Sequence, residues 1–239
     1  MDSFDIKLIK KYVSEKKQNK ALKKLKKGYP VQYIIGNVDF LGIEIDVNKN
    51  VLIPRFETEG LVDKLTKLIK QYNFNNPNIL DIGTGSGCIS IYLKKNLECN
   101  LTAIDKSRKA INLAKKNALK TNVAINYINT SIEKYITDVK YDIIVSNPPY
   151  VSYSEPVDEK IKFEPKIAIF SKNNGLYFYD IILQKSINLL NKKNIIAFEI
   201  GHRQGENIKK IAKKYYPNSI VLIEQDLSNK DRYVFIINE

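Results

Sequence analysis

Asn147, Pro148, Pro149 and Tyr150 form the stretch of this sequence best suited to chemistry, because a side-chain amide followed by two prolines makes a rigid cluster of hydrogen-bond acceptors. Proline has no N–H and drives the preceding residue toward extended geometry, so the Asn147 and Pro148 carbonyls lack local partners. Such an array suits a planar NH2 group. An amide or aromatic amine nitrogen is a poor nucleophile until both hydrogens are held and it can pyramidalise. Two acceptors can hold both, and they stabilise the positive charge that builds on nitrogen as it attacks a methyl group. This is the oxyanion-hole principle with its sign reversed. No general base is required, since the proton can leave after transfer. Asn-Pro is also a common turn initiator, so the surrounding chain has to decide between the readings.

A glycine-rich loop, Gly83-Thr84-Gly85-Ser86-Gly87, follows the apolar run Ile79-Leu80-Asp81-Ile82 and opens a helix from Cys88. Glycines at alternate positions allow a sharp turn and a close approach to a ligand at the carboxyl end of a strand. About twenty residues on, the run Leu101 to Ile104 ends in Asp105, where a carboxylate can accept both hydroxyls of a ribose. An adenosine-containing cofactor fits this pair, and the missing third glycine of the dinucleotide fingerprint disfavours NAD.

These loops need strands and helices to position them. From Asn78 onward apolar strands alternate with helical patterns, which predicts a doubly wound α/β domain of seven strands. Ile125 to Asn129 is the third strand, and Tyr141 to Val145 is the fourth, delivering Asn147 to the same carboxyl rim as Asp105. Ile195 to Ile200 is the fifth strand, and Ile220 to Glu224 with Tyr233 to Ile237 a closing antiparallel hairpin. The stretch of about 24 residues after Tyr150 is long enough to act as a lid or substrate loop. Upstream, residues 1–28 read as one long or two short amphipathic helices. Val31 to Ile35 and Asp39 to Val47 read as a β-hairpin linker within residues 29–54, and residues 55–239 as the main domain.

The chain has 239 residues and a formal net charge of +13. That charge predicts a weak attraction to nucleic acid or the ribosome, although four arginines among 39 basic residues fit compositional bias better than an evolved polyanion groove. Cys88 and Cys99 are too few and too far apart for a zinc site or disulfide framework. No segment reaches the length of a membrane span and no signal-peptide core is present, so a cytoplasmic protein with no membrane association and no metal is expected.

Several segments together resemble the HemK-type protein-glutamine methyltransferases, the release factor glutamine methyltransferases. They are Pro30 to Ile34, Leu52 to Arg55, Glu57-Thr58-Glu59, Ile79 to Cys88, Ser146 to Tyr150, Glu164-Pro165 and Glu199-Ile200-Gly201. The resemblance implies a seven-stranded Rossmann-like fold of the class I S-adenosylmethionine-dependent methyltransferases. It implies S-adenosylmethionine as methyl donor and, as substrate, N5 of the glutamine in the Gly-Gly-Gln loop of peptide chain release factors. By position, Gly83, Thr84, Gly85, Ser86 and Gly87 resemble the methionine and ribose loop, and Asp105 the ribose acid. Ser131 and Ile132 fall where the family has a polar or acidic residue followed by an adenine-contacting side chain. Asn147 is similar to the residue that touches both cofactor and target amide, with Pro148, Pro149 and Tyr150 lining the substrate side.

Three features depart from the family. Phe56 replaces a second proline, a late Asp-Gly-x-x-Arg pattern becomes Asp226 to Arg232, and only 28 residues precede Tyr29. Three alternatives remain open: an amino-methyltransferase of adenine or cytosine, a ribosomal-protein glutamine methyltransferase, and an inactive cofactor-binding interaction protein. Base-flipping enzymes need extra surface to distort nucleic acid, and only 89 residues follow Tyr150. His202 reads as a polar turn residue, and Arg203 and Arg232 as surface charges or contacts to an acidic partner.

Overall fold

In the computed structural model, which describes residues 3–239 apart from the side chains of residues 159 and 160, the lysine-rich N-terminus forms two helices. These are α1 (Ser3–Tyr12) and α2 (Glu15–Lys26). Residues 1 and 2 of the expected 1–28 segment lie outside the described residues. Val31–Ile35 is a short helix, α3, and not the strand its β-branched residues suggested. Val31, Ile34 and Ile35 recur at helical spacing and pack with Ile9, Ala21 and Leu25 in a small satellite core. That burial outweighs local β propensity. Gly36, at φ +99°, ends the helix in the left-handed conformation.

The hairpin follows one element later than expected, as β1 (Asn37–Phe40) and β2 (Ile43–Asp46). Its turn has positive φ at both Leu41 (50°) and Gly42 (78°), as a two-residue hairpin turn of the primed type demands. Helix α4 (Phe56–Gln71) then turns Leu61, Val62, Leu65 and Ile69 onto the main sheet.

The α/β domain continues as β3 (Asn78–Ile82), α5 (Cys88–Asn96), β4 (Asn100–Asp105), α6 (Arg108–Lys120), β5 (Asn126–Asn129) and β6 (Tyr141–Ser146). Ser107 caps α6, its hydroxyl accepting from the Ala110 N–H at 3.3 Å. Beyond Tyr150 the chain makes two short paired strands, β7 (Val151–Ser152) and β8 (Phe170–Ser171). Then come α7 (Tyr177–Leu189), β9 (Leu190–Glu199), α8 (Gly205–Tyr215), β10 (Ile220–Gln225) and β11 (Asp231–Asn238).

Among the described residues the main sheet has seven strands in the order β10-β11-β9-β6-β3-β4-β5, parallel except for β11, which runs antiparallel to both neighbours. One core packs α4, α5 and α6 on one face, and a second packs α7 and α8 on the other. From β3 the chain proceeds outward to β4 and β5, then returns to place β6 on the opposite side of β3. The order therefore reverses between β3 and β6, and loops leaving those two strands diverge to open a crevice.

Candidate active site

Strands β3 and β6 end level with one another, Ile82 opposite Ser146, and the Ser146 hydroxyl donates to the Ile82 carbonyl at 2.7 Å. The glycine loop and the Asn-Pro-Pro loop thus start side by side. Between them lies a cavity of 360 Å³, lined by Gly83 to Ser86, Asp105, Ile132 and Asn147 to Pro149, among others.

The glycine loop adopts a left-handed shape that strongly favours glycine. Gly83 and Gly85 have φ of +76° and +56°, and a Cβ on Gly83 would meet no atom within 4 Å. The backbone there is bare toward open space, so a ligand can approach it closely. Gly87 serves packing instead: a Cβ would sit 3.1 Å from both Ala114 Cβ and Tyr127 Oη, so its absence seats α5 against α6 and β5. The Asp105 carboxylate accepts from the Gly85 N–H at 2.9 Å through Oδ2 and from the Ser107 N–H at 2.7 Å through Oδ1. Burial raises its pKa, and these two N–H groups oppose the rise. Each oxygen keeps a second lone pair, so the carboxylate, fixed by the loop it faces, fits a pair of vicinal hydroxyls. A bare glycine turn, a fixed acid one strand away and the apolar Ile132 suit the methionine, ribose and adenine parts of an adenosylated cofactor. At the base of the loop, Asp81 is fully buried; its Oδ2 accepts from Thr84 Oγ1 at 2.6 Å, and its Oδ1 is unpartnered among the described residues. Burial pushes its pKa up to about 7.

On the opposite wall, Asn147 Nδ2 donates to Thr58 Oγ1 at 3.1 Å, and the Thr58 hydroxyl donates in turn to Glu199 Oε2 at 2.6 Å. The threonine hydrogen is committed to the carboxylate, so Thr58 can only accept from Asn147, which fixes the amide with NH2 inward. Among the described residues no donor reaches Asn147 Oδ1 or the Asn147 and Pro148 carbonyls. Glu199 is fully buried, and burial pushes its pKa up to about 7 against the pull of Thr58 and Arg232.

Thr58 reaches this position because α4 lies close on β11: a Cβ on Gly60 would sit 2.1 Å from Tyr233 Oη, which donates to the Glu57 carbonyl at 2.9 Å. Thr58 and Glu199 belong to the quoted motifs Glu57-Thr58-Glu59 and Glu199-Ile200-Gly201, yet sequence reasoning assigned neither a role. The signal available was a carboxylate ending the apolar run Ile195 to Phe198 of β9.

Other residues stand elsewhere. Tyr150 is turned away from the cavity wall, its hydroxyl donating to Glu199 Oε1 at 3.4 Å and its carbonyl accepting from Gln204. His202 and Arg203 are exposed beyond β9. Arg232, expected at the surface or on a partner, is engaged internally, pairing with Asp226 at 3.2 Å and donating to the Ile200 carbonyl. Cys88 and Cys99 are free and buried. No helix among the described residues is long and apolar enough to cross a membrane.

The segment after Tyr150 is tied down by buried Glu164, which accepts from the Ile53 N–H at 3.0 Å and pairs with Arg55. Both groups belong to the loop preceding α4, so one carboxylate joins the two borders of the cavity. Glu164→Ala should therefore cost about 2 kcal/mol, because it leaves a buried N–H and a guanidinium without their acceptor. Chemical denaturation measures this, and an unchanged midpoint would show that the joint carries no load.

Residues 55–162 match the family described as "Methyltransferase small domain". A relative from Lactococcus lactis, named release factor glutamine methyltransferase, is 37% identical over 218 residues, covering 90% of this chain and 79% of the relative. The chain belongs to the release factor glutamine methyltransferase family. Solved structures agree on the fold. A protein-(glutamine-N5) methyltransferase (release factor-specific) from Alicyclobacillus acidocaldarius superposes with a TM-score of 0.51 at 23% identity, covering 78% of this chain and 94% of that one. A Thermus thermophilus 16S rRNA N2 G1207 methyltransferase, solved with AdoMet and guanosine, reaches 0.61 at 12% identity over 85% of this chain and 50% of that one. The class I methyltransferase fold is thus shared with an enzyme that acts on RNA, and sequence identity, not shape, distinguishes this family.

Proposed function

We propose that this chain transfers a methyl group from S-adenosylmethionine to the N5 amide nitrogen of the glutamine in the Gly-Gly-Gln loop of a peptide chain release factor. The observation that carries the reading is Asn147, whose NH2 is engaged by Thr58 and whose Oδ1 is left on the cavity wall beside Pro148. The bare backbone of Gly83 to Ser86 would hold the methionine portion, Asp105 the ribose hydroxyls, and Ile132 one face of the adenine. Bound there, the cofactor supplies an electrophilic methyl group on a sulfonium.

Asn147 Oδ1 and the Pro148 carbonyl would accept the two hydrogens of the incoming amide, so its nitrogen can leave planarity. As positive charge builds on that nitrogen, the same oxygens, fixed in advance by proline geometry and the Thr58 contact, stabilise it without reorganising. Pro149 borders the amide, and Tyr150 backs the loop through Glu199 and Gln204. The glutamine that meets these acceptors needs no basic side chain nearby, which agrees with His202 standing outside the cavity.

Docking draws on charge. Ten lysines and three acidic residues lie within residues 1–28, a net +7 of the chain's +13. No ion pair among the described residues engages a lysine of α1 or α2. This basic surface supports recruitment of an acidic face of the release factor and a weak attraction to the ribosome. Raising ionic strength from 0.05 to 0.5 M, roughly a threefold drop in screening length, should raise KM for the release factor and leave kcat unchanged. A KM indifferent to salt would remove charge from docking.

The decisive experiment is incubation with S-adenosylmethionine and, separately, release factor or adenine-containing RNA and DNA, with the methylated atom located by tandem mass spectrometry. A methyl on the Gly-Gly-Gln glutamine is expected. A methyl on a nucleobase alone, or none anywhere, overturns the reading.

A further inference from the structure

Asn147 is useful as an acceptor only if its amide stays one way round, since a half-turn about its last side-chain bond would present NH2 instead of oxygen to the incoming amide. Oxygen and NH2 have nearly the same size, so packing alone discriminates weakly between the two orientations. We infer that Glu199 and Thr58 form a one-way hydrogen-bond relay that holds the Asn147 amide in its acceptor orientation, and are thereby positioning residues for methyl transfer. The inference rests on the reading of Asn147 Oδ1 as an acceptor for the substrate NH2.

The direction follows from the donor inventory. An ionised carboxylate can only accept, so the Thr58 hydrogen points to Glu199 at 2.6 Å and the Thr58 oxygen turns its lone pairs toward Asn147, whose NH2 lies 3.1 Å away. The flipped amide would set its oxygen against that lone pair. Each member is anchored from a different element. Thr58 is 2% exposed on α4, Glu199 is 1% exposed at the end of β9, and Asn147 follows β6. The Thr58 hydroxyl thus satisfies one oxygen of the buried Glu199 and, by the same bond, turns its own acceptor toward Asn147.

The groups facing Glu199 are Glu57 and Thr58 on α4, the buried Cys88 thiol on α5, Asn147 and Tyr150 on the loop after β6, and Arg232 and Tyr233 on β11. The Tyr179 hydroxyl on α7 donates to the Glu199 carbonyl at 2.9 Å. Arg232 is the one cation in this set, and it also serves Asp226. A proton on Glu199 brings a second donor to the site. Thr58 is then free to turn its hydrogen toward Asn147, so the inverted amide becomes competitive as pH falls through about 7.

The test compares Thr58→Val, Thr58→Ser and Glu199→Gln with Asn147→Ala as the benchmark, using full-length release factor. Five quantities are measured: kcat, KM, cofactor affinity by calorimetry, stability by chemical denaturation, and hydrogen exchange of the Asn147 side-chain amide by nitrogen-15 NMR. Thr58→Val is expected to lower kcat roughly tenfold to a hundredfold, with KM and cofactor affinity within about twofold of wild type. It should also deprotect the Asn147 amide hydrogens in the free protein. Thr58→Ser should restore both readouts. Wild-type kcat should rise with pH through about 7, and Glu199→Gln should flatten that limb. Full turnover in Thr58→Val beside a dead Asn147→Ala overturns the relay and leaves the acceptor reading standing. Equal loss of stability, cofactor binding and kcat in Thr58→Val, unrescued by serine, reduces Thr58 to a structural residue and also overturns it. Turnover by Asn147→Ala defeats both.

Discussion

Asn147→Ala should lower kcat by roughly a hundredfold to a thousandfold while S-adenosylmethionine still binds, the loss expected when one preorganised partner of a developing charge is removed. That factor corresponds to about 3–4 kcal/mol of transition-state stabilisation. Asn147 forms no part of the glycine turn or the Asp105 anchor, so the ground-state hold on the cofactor survives. The Thr58 hydroxyl and Glu199 keep their own 2.6 Å bond, so the buried network is shortened by one member without stranding a charge. Single-turnover kinetics with calorimetry on the same preparation separates the two quantities. A kcat within about threefold of wild type would remove Asn147 from the chemistry.

Asp105→Ala should act on the other side of that division, weakening cofactor affinity about tenfold to a hundredfold, or 1.5–3 kcal/mol, the range for hydrogen bonds to a charged group. Part of the loss is direct, since two ribose hydroxyls lose their acceptor. Part is indirect. The same carboxylate accepts the Gly85 N–H at 2.9 Å and the Ser107 N–H at 2.7 Å, so its removal slackens the glycine turn and the start of α6 together. Asp105→Asn retains one acceptor oxygen and should fall between the two, and saturating cofactor should bring kcat in both variants near wild type. An unchanged dissociation constant in Asp105→Ala would place the ribose elsewhere.

The parts of this protein legible in its sequence are those with local physical causes. Strands β3 and β6 carry near-continuous apolar runs because they are buried on both faces, and Ser107, of a type that favours helix starts, caps α6. The glycine turn announces itself because the left-handed φ values of Gly83 and Gly85 strongly favour glycine. The segment Val31 to Ile35 shows the limit of such reasoning. Its residues favour a strand locally and also repeat at helical spacing, and the choice fell to Ile9, Ala21 and Leu25, which supply a surface for one helical face.

By itself, the sequence determined the order of the seven main-sheet strands, the glycine turn, the acid at the end of β4 and the rigid acceptor loop after β6, because backbone sterics and burial periodicity act within a few residues. Only the tertiary structure decided that Thr58 and Glu199, 141 residues apart, would meet behind Asn147, 89 residues from Thr58. That meeting depends on Gly60 letting α4 approach Tyr233 and on β6 and β9 pairing in a register that sets Ser146 opposite Phe198. No local pattern encodes such a contact: donor inventory fixes which of a hydroxyl and a carboxylate donates, but only packing that removes water leaves each the other as partner.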